Sequence, residues 1–174
     1  PVTNEDGTIP RDLDVYKRAN YADITATNPY YNAMLPSENR SKILSVTNNT
    51  NLNWYIIDNL RWTASMSLNT TNTDNMNFTD PAHTKYASSD YTKQGEYSSS
   101  KSRSWRYTMN TGIAYALSLN DHNLTFNGRA EIRSTSSNTE SFVATGFPKG
   151  VGAIPSFAYS FKENSTPGYS ESIS

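Results

Sequence analysis

Apolar and polar residues alternate with a period of two along four stretches of this chain. Leu44, Val46, Leu52, Trp54 and Ile56 share one parity, and Ser45, Thr47, Asn49, Asn51 and Asn53 share the other, with Asn48 and Thr50 interrupting the apolar series. Leu60, Trp62, Ala64, Met66 and Leu68 alternate with Arg61, Thr63, Ser65, Ser67 and Asn69. Further on, Trp105, Tyr107, Met109, Ile113, Tyr115, Leu117 and Leu119 oppose Arg106, Thr108, Asn110, Gly112 and Ser118. Finally Leu124, Phe126, Gly128, Ala130 and Ile132 alternate with Thr125, Asn127, Arg129, Glu131 and Arg133. A helix would scatter such residues around its circumference, whereas a strand sorts them onto two faces. The pattern predicts a mainly β fold of antiparallel hairpins, with strands near 43–57, 60–69, 104–119 and 123–134 and long loops at 1–40, 70–103 and 135–174.

Parity constrains the pairing, because cross-strand partners share a face. A three-residue loop, Ile57-Asp58-Asn59, sets Ile56 opposite Leu60 and Trp54 opposite Trp62, with Asn59 able to take the left-handed conformation. In the second hairpin the apolar parity switches from odd to even. A four-residue loop over Asn120-Asp121-His122-Asn123 satisfies the switch, pairing Leu119 with Leu124 and Leu117 with Phe126 and placing Tyr115 over Gly128.

Outside these runs the chain reads as loop. Asp6-Gly7, Asn28-Pro29 and Pro36 are turn signals, a short helix is expected over residues 12–18, and a short strand over 154–161. The stretch 70–103 is too long for an ordinary hairpin connection, so it is expected to be functional or mobile. The tail after residue 161 reads as loop.

The apolar fraction is 35%, and Asn, Ser, Thr and Tyr rather than charge make up the deficit. A net charge of -1 gives no electrostatic footprint for nucleic acid, and 12% aromatic residues argue for order. The chain has no cysteine, which removes disulfides, thiolate metal sites and a thiol nucleophile. No apolar run is long enough for a transmembrane helix, but a transmembrane strand shows only every second residue to lipid and escapes that test. No signal peptide is visible at Pro1, which reads like the middle of a longer chain.

Alternation alone does not separate a soluble antiparallel sandwich from a membrane barrel, since a protein core and a lipid chain are both apolar. Three features point to the barrel. Aromatic residues sit near strand ends: Trp54, Trp62, Tyr115 and Phe126 by the short turns, and Trp105 and Tyr107 by a long loop. No charged residue falls on an apolar face of the four runs. Short turns and long loops alternate in phase with the hairpins.

Several segments add a resemblance. Asn28-Pro-Tyr-Tyr-Asn-Ala-Met-Leu-Pro-Ser-Glu-Asn-Arg-Ser-Lys42, Asp80-Pro-Ala-His-Thr-Lys-Tyr86, Gly95-Glu-Tyr-Ser-Ser-Ser100, Gly146-Phe-Pro148 and Ser156-Phe-Ala-Tyr-Ser-Phe-Lys-Glu-Asn-Ser-Thr-Pro167 follow one another in this order. With the strand layout, they resemble the barrel region of the SusC/RagA family of TonB-linked outer-membrane transporters (TonB-dependent receptors) of Bacteroidetes. The resemblance runs over most of residues 25–174. It implies part of an outer-membrane barrel of about 22 strands with an internal plug. It also implies energy from a TonB complex, a SusD-like surface lipoprotein as partner, and import of glycans or peptides. Four strands cannot close a barrel, so the two hairpins of this segment are expected to stack face to face or to associate between copies. The alternative is a soluble β-sandwich binding or adhesin module of a secreted or surface protein.

Candidate chemistry is sparse, and neither an enzyme nor a cofactor is expected. Arg61, Arg106, Arg129, Glu131 and Arg133 lie on polar faces; in a barrel they line the lumen and meet polar substrate, or they form a structural charge network. Tyr30, Tyr31, Tyr86, Tyr91 and Tyr97 lie in loops, where their rings stack on sugars or peptides, pack the loops or meet a partner. His83 and His122 are too far apart in the layout to share a metal, and His122 reads as a solvated turn residue. Asp74, Asp80 and Asp90 lack calcium-loop spacing and read as solvated acids.

Overall fold

The computed structural model describes residues 3–19, 21 and 23–174. Two short strands, β1 (Asp12–Tyr16) and β2 (Ile24–Thr27), precede a one-and-a-half-turn helix, α1 (Pro29–Met34). The long strands follow: β3 (Glu38–Ile57), β4 (Leu60–Thr79), β5 (Glu96–Leu119) and β6 (His122–Thr145). Two short strands, β7 (Ser160–Phe161) and β8 (Gly168–Ile173), complete the order. The larger sheet runs β3-β4-β5-β6-β7, with β8 also paired to β6. The fold is mainly β and antiparallel, consistent with a piece of β-barrel wall.

The four expected strands exist, but they are longer than the alternation showed: 20 residues each for β3 and β4, and 24 each for β5 and β6. The loop expected over 70–103 shrinks to residues 80–95, which hold two single-turn 3-10 helices, Thr84–Tyr86 and Tyr91–Lys93. Both faces of β4, β5 and β6 carry polar residues at their loop ends, so the two-face signal fades while Thr, Ser and Tyr still support extended backbone. Residues 12–18 are not helical, because Asp12–Tyr16 pairs antiparallel with β2, Val15 opposite Thr25 and Tyr16 opposite Ile24. The tail read as loop contains β8, and the strand expected at 154–161 is reduced to β7 behind a 3-10 turn at Pro155–Phe157.

Side-chain hydrogen bonds reveal the registers. Ser41 to Asn75 (2.7 Å), Ser45 to Thr71 (3.3 Å) and Ser67 to Asn49 (2.7 Å) all belong to the register that sets Ile56 opposite Leu60. The Trp54 and Trp62 rings accordingly meet edge to face at 6.2 Å. The first hairpin therefore has the expected pairing, although positive φ among described non-glycine residues occurs at Asn120 and Asn164, not at Asn59. The second hairpin differs. Its turn is the two-residue Asn120-Asp121 with Asn120 at φ 50°, not a four-residue loop. Ser118 to Asn123 (2.8 Å), Arg106 to Thr135 (3.2 Å) and Thr139 to Ser102 (3.2 Å) share one register, two residues from the expected one. It sets Leu117 opposite Leu124 and puts Ile113, not Tyr115, over Gly128. A shift of two keeps every side chain on its face.

The chain divides into two compact units, the first comprising 1–41, 75–100 and 141–168, the second 42–74, 101–140 and 169–174. The first holds the hydrophobic core: Met76, Phe78, Ala144 and Phe147 are buried, with Tyr97, Phe142, Ala153 and Ala158 packed on them. Phe78, 1% exposed, meets Phe147 edge-on at 5.3 Å. The helix α1 starts where Asn28 caps it, accepting from the Tyr30 amide at 3.0 Å, and Pro29 pre-sets φ at its first position.

The second unit buries no large hydrophobic side chain among the described residues. Leu44, Phe126 and Ile132 are 61%, 59% and 62% exposed. The expectation that the hairpins stack face to face is overturned, because β3 to β6 lie side by side in one sheet, and among the described residues no second layer covers the apolar face of the second unit.

Candidate functional site

The registers assemble the two faces of the second unit row by row. Thr63 Oγ1 donates to the Gly112 carbonyl at 3.3 Å and Ala116 N donates to the Asn59 carbonyl at 2.9 Å, which joins β4 to β5. On one face lie Leu52, Ala64 and Ala130 with Met66, Met109 and Ile132, forming with Thr50 and Thr111 a largely apolar groove of about 470 Å³. Trp62 belongs to this face too, and its indole N–H is satisfied by Thr111 Oγ1 at 2.7 Å. A lone indole donor on an apolar surface needs such a partner.

The opposite face carries the predicted polar set. Arg61 and Arg129 flank a groove of about 570 Å³ whose floor is Gly112 and whose rim includes Asn51, Asn53, Asn110 and Asn127. A Cβ on Gly112 would stand 2.9 Å from Thr63 Oγ1, so the bare backbone keeps this groove open. Glu131 lies between two arginines on β6: Arg133 binds it at 3.0 Å and Arg129 approaches at 4.0 Å. Arg129 also reaches Asn110 Oδ1 at 3.5 Å, and Arg106 donates to Thr135. These ion pairs are exposed and contribute roughly 1 kcal/mol or less each. Arg61 has no ion pair among the described residues. Ile43, Tyr55 and Ile57 are exposed apolar exceptions on the polar parity of β3. Parity had put the asparagines around Gly112 on polar faces but not among the candidate site residues, since single amides in an Asn-rich chain carry no signal until a register gathers them. Chemically this face offers guanidinium and amide donors and amide acceptors to a polar solute.

The five tyrosines do not form one cluster. Tyr86 is buried, with Lys85 Nζ 4.7 Å from its ring centroid, and burial next to Glu96 pushes its hydroxyl pKa up. Tyr97 stacks on Phe142 at 5.8 Å as part of the core. Tyr91 stays exposed and meets Tyr159 edge-on at 6.2 Å. Tyr30 is exposed and Tyr31 half-buried, both on α1.

The loops are knitted rather than loose. Asn32 and Thr84 exchange two hydrogen bonds (2.8 and 3.1 Å), and the Asp80 amide donates to Ser37 Oγ at 3.1 Å. Phe147 N donates to the Gln94 carbonyl at 2.8 Å, and Lys162 pairs with Glu96 at 2.8 Å. Gly146, at φ 80°, has the Thr92 carbonyl and Tyr159 Cβ 2.6 Å from the place of a Cβ, so any side chain there would collide. Asp80 and Asp90 are turn caps, accepting from Ala82 N (2.7 Å) and Thr92 N (3.1 Å), rather than free solvated acids. His83 does the same through Nδ1, accepting from Lys85 N at 3.1 Å, and His122 opens β6 rather than sitting in the turn.

The arrangement is an open antiparallel sheet with hydrogen-bonded loops, consistent with a fragment of a β-barrel. No protein-family model matches this sequence, and no curated protein matches it. Solved structures do. The RagAB peptide importer in its open-open state superposes with a TM-score of 0.68 at 18% identity, over 97% of this chain and 18% of that one. Another structure of the RagAB peptide transporter gives 0.70 at 19% identity, and the closed-closed state gives 0.69 at 18%. The likeness is one of fold, and this chain spans less than a fifth of those chains.

Proposed function

We propose that this chain is a stretch of the wall and outer loops of an outer-membrane active transporter of the SusC/RagA type, TonB-linked and working with a SusD-like surface lipoprotein. Its role is uptake of glycans or peptides rather than catalysis. One observation carries the reading: the second unit presents a continuous uncovered apolar face and, on the other side of the same strands, an arginine- and asparagine-bearing face. Such a sheet is stable where lipid supplies the missing layer and the polar side meets an aqueous lumen. The likeness to peptide-importer chains supports the reading. A soluble sandwich requires a second apolar layer over Leu44, Phe126 and Ile132, and none is present among the described residues.

Cell fractionation and uptake test the proposal together. The protein is expected in the outer-membrane fraction, and deletion of its gene is expected to abolish uptake of a labelled oligopeptide or oligosaccharide pool. Recovery in the soluble fraction without detergent, or unchanged uptake of both pools, overturns it.

A further inference from the structure

We propose that the loop-ward end of the second unit's apolar face holds the phosphate of an anionic lipid headgroup, through Lys42, Lys101 and Arg103. This rests on the membrane-facing reading and adds a lipid preference to it.

The registers give the face a defined sequence of rows across β3, β4, β5 and β6. Near the turns come Trp54, Trp62 and Ile113. Farther along comes the apolar row of Met66, Met109 and Ile132. Past Trp105 the chemistry changes within two rows. Arg103 stands between Asn72 and Asn138, and the next row reads Lys42, Asp74, Lys101 and Glu140. The remaining four arginines of this unit all lie on the opposite face. The cations on the apolar side are therefore gathered at one end, beside the last aromatic ring. The turn-ward end has Ile56, Leu60 and Leu124, followed by Asp58 and Asp121, and no cation.

None of the three cations has an ion pair or side-chain hydrogen bond among the described residues. Asp74 and Glu140 share their band, but neither comes within 4.0 Å of a cation, and Arg103 sits one row nearer the apolar surface than either. A groove of about 480 Å³ is bordered by Lys42, Leu44, Asn72, Asp74 and Arg103. Leu44 and Asn72 lie in the row of Arg103, and Lys42 and Asp74 in the next, so aliphatic surface and two cations adjoin there, as at the junction of an acyl chain with a headgroup phosphate. Long basic side chains lay their stems on apolar surface and raise the charge to the interface, where anionic headgroups attract them.

Trp105 is the local reporter, two residues from Arg103 on the same face. In the protein reconstituted into vesicles, its fluorescence is read as the signal lost in Trp105→Phe, with brominated phosphatidylglycerol or brominated phosphatidylcholine as quencher. The anionic lipid is expected to be preferred, about fivefold for each cation engaged. The variant Lys42→Gln/Lys101→Gln/Arg103→Gln is expected to bring the two lipids to parity, and Lys42→Arg/Lys101→Arg to keep the preference. Equal quenching of the unaltered protein, or a preference that survives the triple change, overturns the headgroup site while leaving the membrane-facing wall standing. Quenching by neither lipid overturns both.

Discussion

Ile113 lies over Gly128, its Cγ2 3.3 Å from the place where a Cβ would stand. That contact marks the register of the second hairpin and yields a direct check. Ser118 faces Asn123 at 2.8 Å, so Ser118→Cys with Asn123→Cys is expected to form a disulfide under mild oxidation in this otherwise cysteine-free chain. Ser118→Cys with Thr125→Cys, the partner in the register two residues away, is expected to stay reduced. Mass spectrometry of peptides from both variants distinguishes them.

The two aromatic rings at the centre of the first unit should dominate its stability. Phe78 is nearly inaccessible and has Phe147 edge-on at 5.3 Å. Phe78→Ala is expected to cost about 3–5 kcal/mol through lost burial and an unfilled cavity. Hydrogen exchange across 75–79 and 144–147 measures it. Protection that changes by less than a factor of ten there refutes the assigned core.

Gly146 holds two loops together because it has no side chain. Gly146→Ala is expected to destabilise the first unit by about 2–4 kcal/mol, combining a disfavoured φ with collision against the Thr92 carbonyl and Tyr159. Gly150 has a similar φ and nothing within 4 Å, so Gly150→Ala should cost only about 1 kcal/mol. Thermal unfolding of the pair separates steric collision from backbone strain.

The loop at 83–86 should loosen in acid. Partial burial, with Lys85 nearby, holds His83 below its ordinary pKa of 6.5. A depressed imidazole pKa means that the unfolded loop takes up the proton first. The stabilisation is therefore complete above pH 6.5 and is lost as pH falls through the lowered value. Protonation also removes the Nδ1 acceptor that caps Lys85 N. Amide exchange at residues 84–87, corrected for intrinsic rates, is expected to accelerate between pH 7.5 and 5. In His83→Asp, which keeps a cap acceptor, that acceleration should largely disappear.

The faces of the sheet were legible in the sequence along the four alternating runs, because a period of two assigns each residue to a face without knowledge of its partner. The register was only half legible. Parity fixes pairings up to a slip of two, so Ile56–Leu60 came out correctly, while Leu119–Leu124 gave way to Leu117–Leu124. Strand length was hidden for a physical reason: where both faces carry polar residues, as at 96–104 and 134–141, alternation carries no information. The arginines of the polar face followed from parity. The fates of Tyr86 and Tyr97 did not: the turn holding Tyr86 has no period to reveal which ring goes inward, and Tyr97, expected in a loop, lies in the polar start of β5 where alternation is lost.

Among the described residues, the strand order leaves β3 with one neighbour. Over its 20 residues, about ten N–H and as many C=O groups therefore point away from β4, since an antiparallel strand directs half its backbone to each side. Within hydrocarbon, each such group left bare costs several kcal/mol. In the membrane setting proposed for this chain, neither lipid tails nor a helix can occupy the space beside β3. The adjoining element must be another extended segment, matched residue for residue, so the barrel's continuation is already templated along that margin.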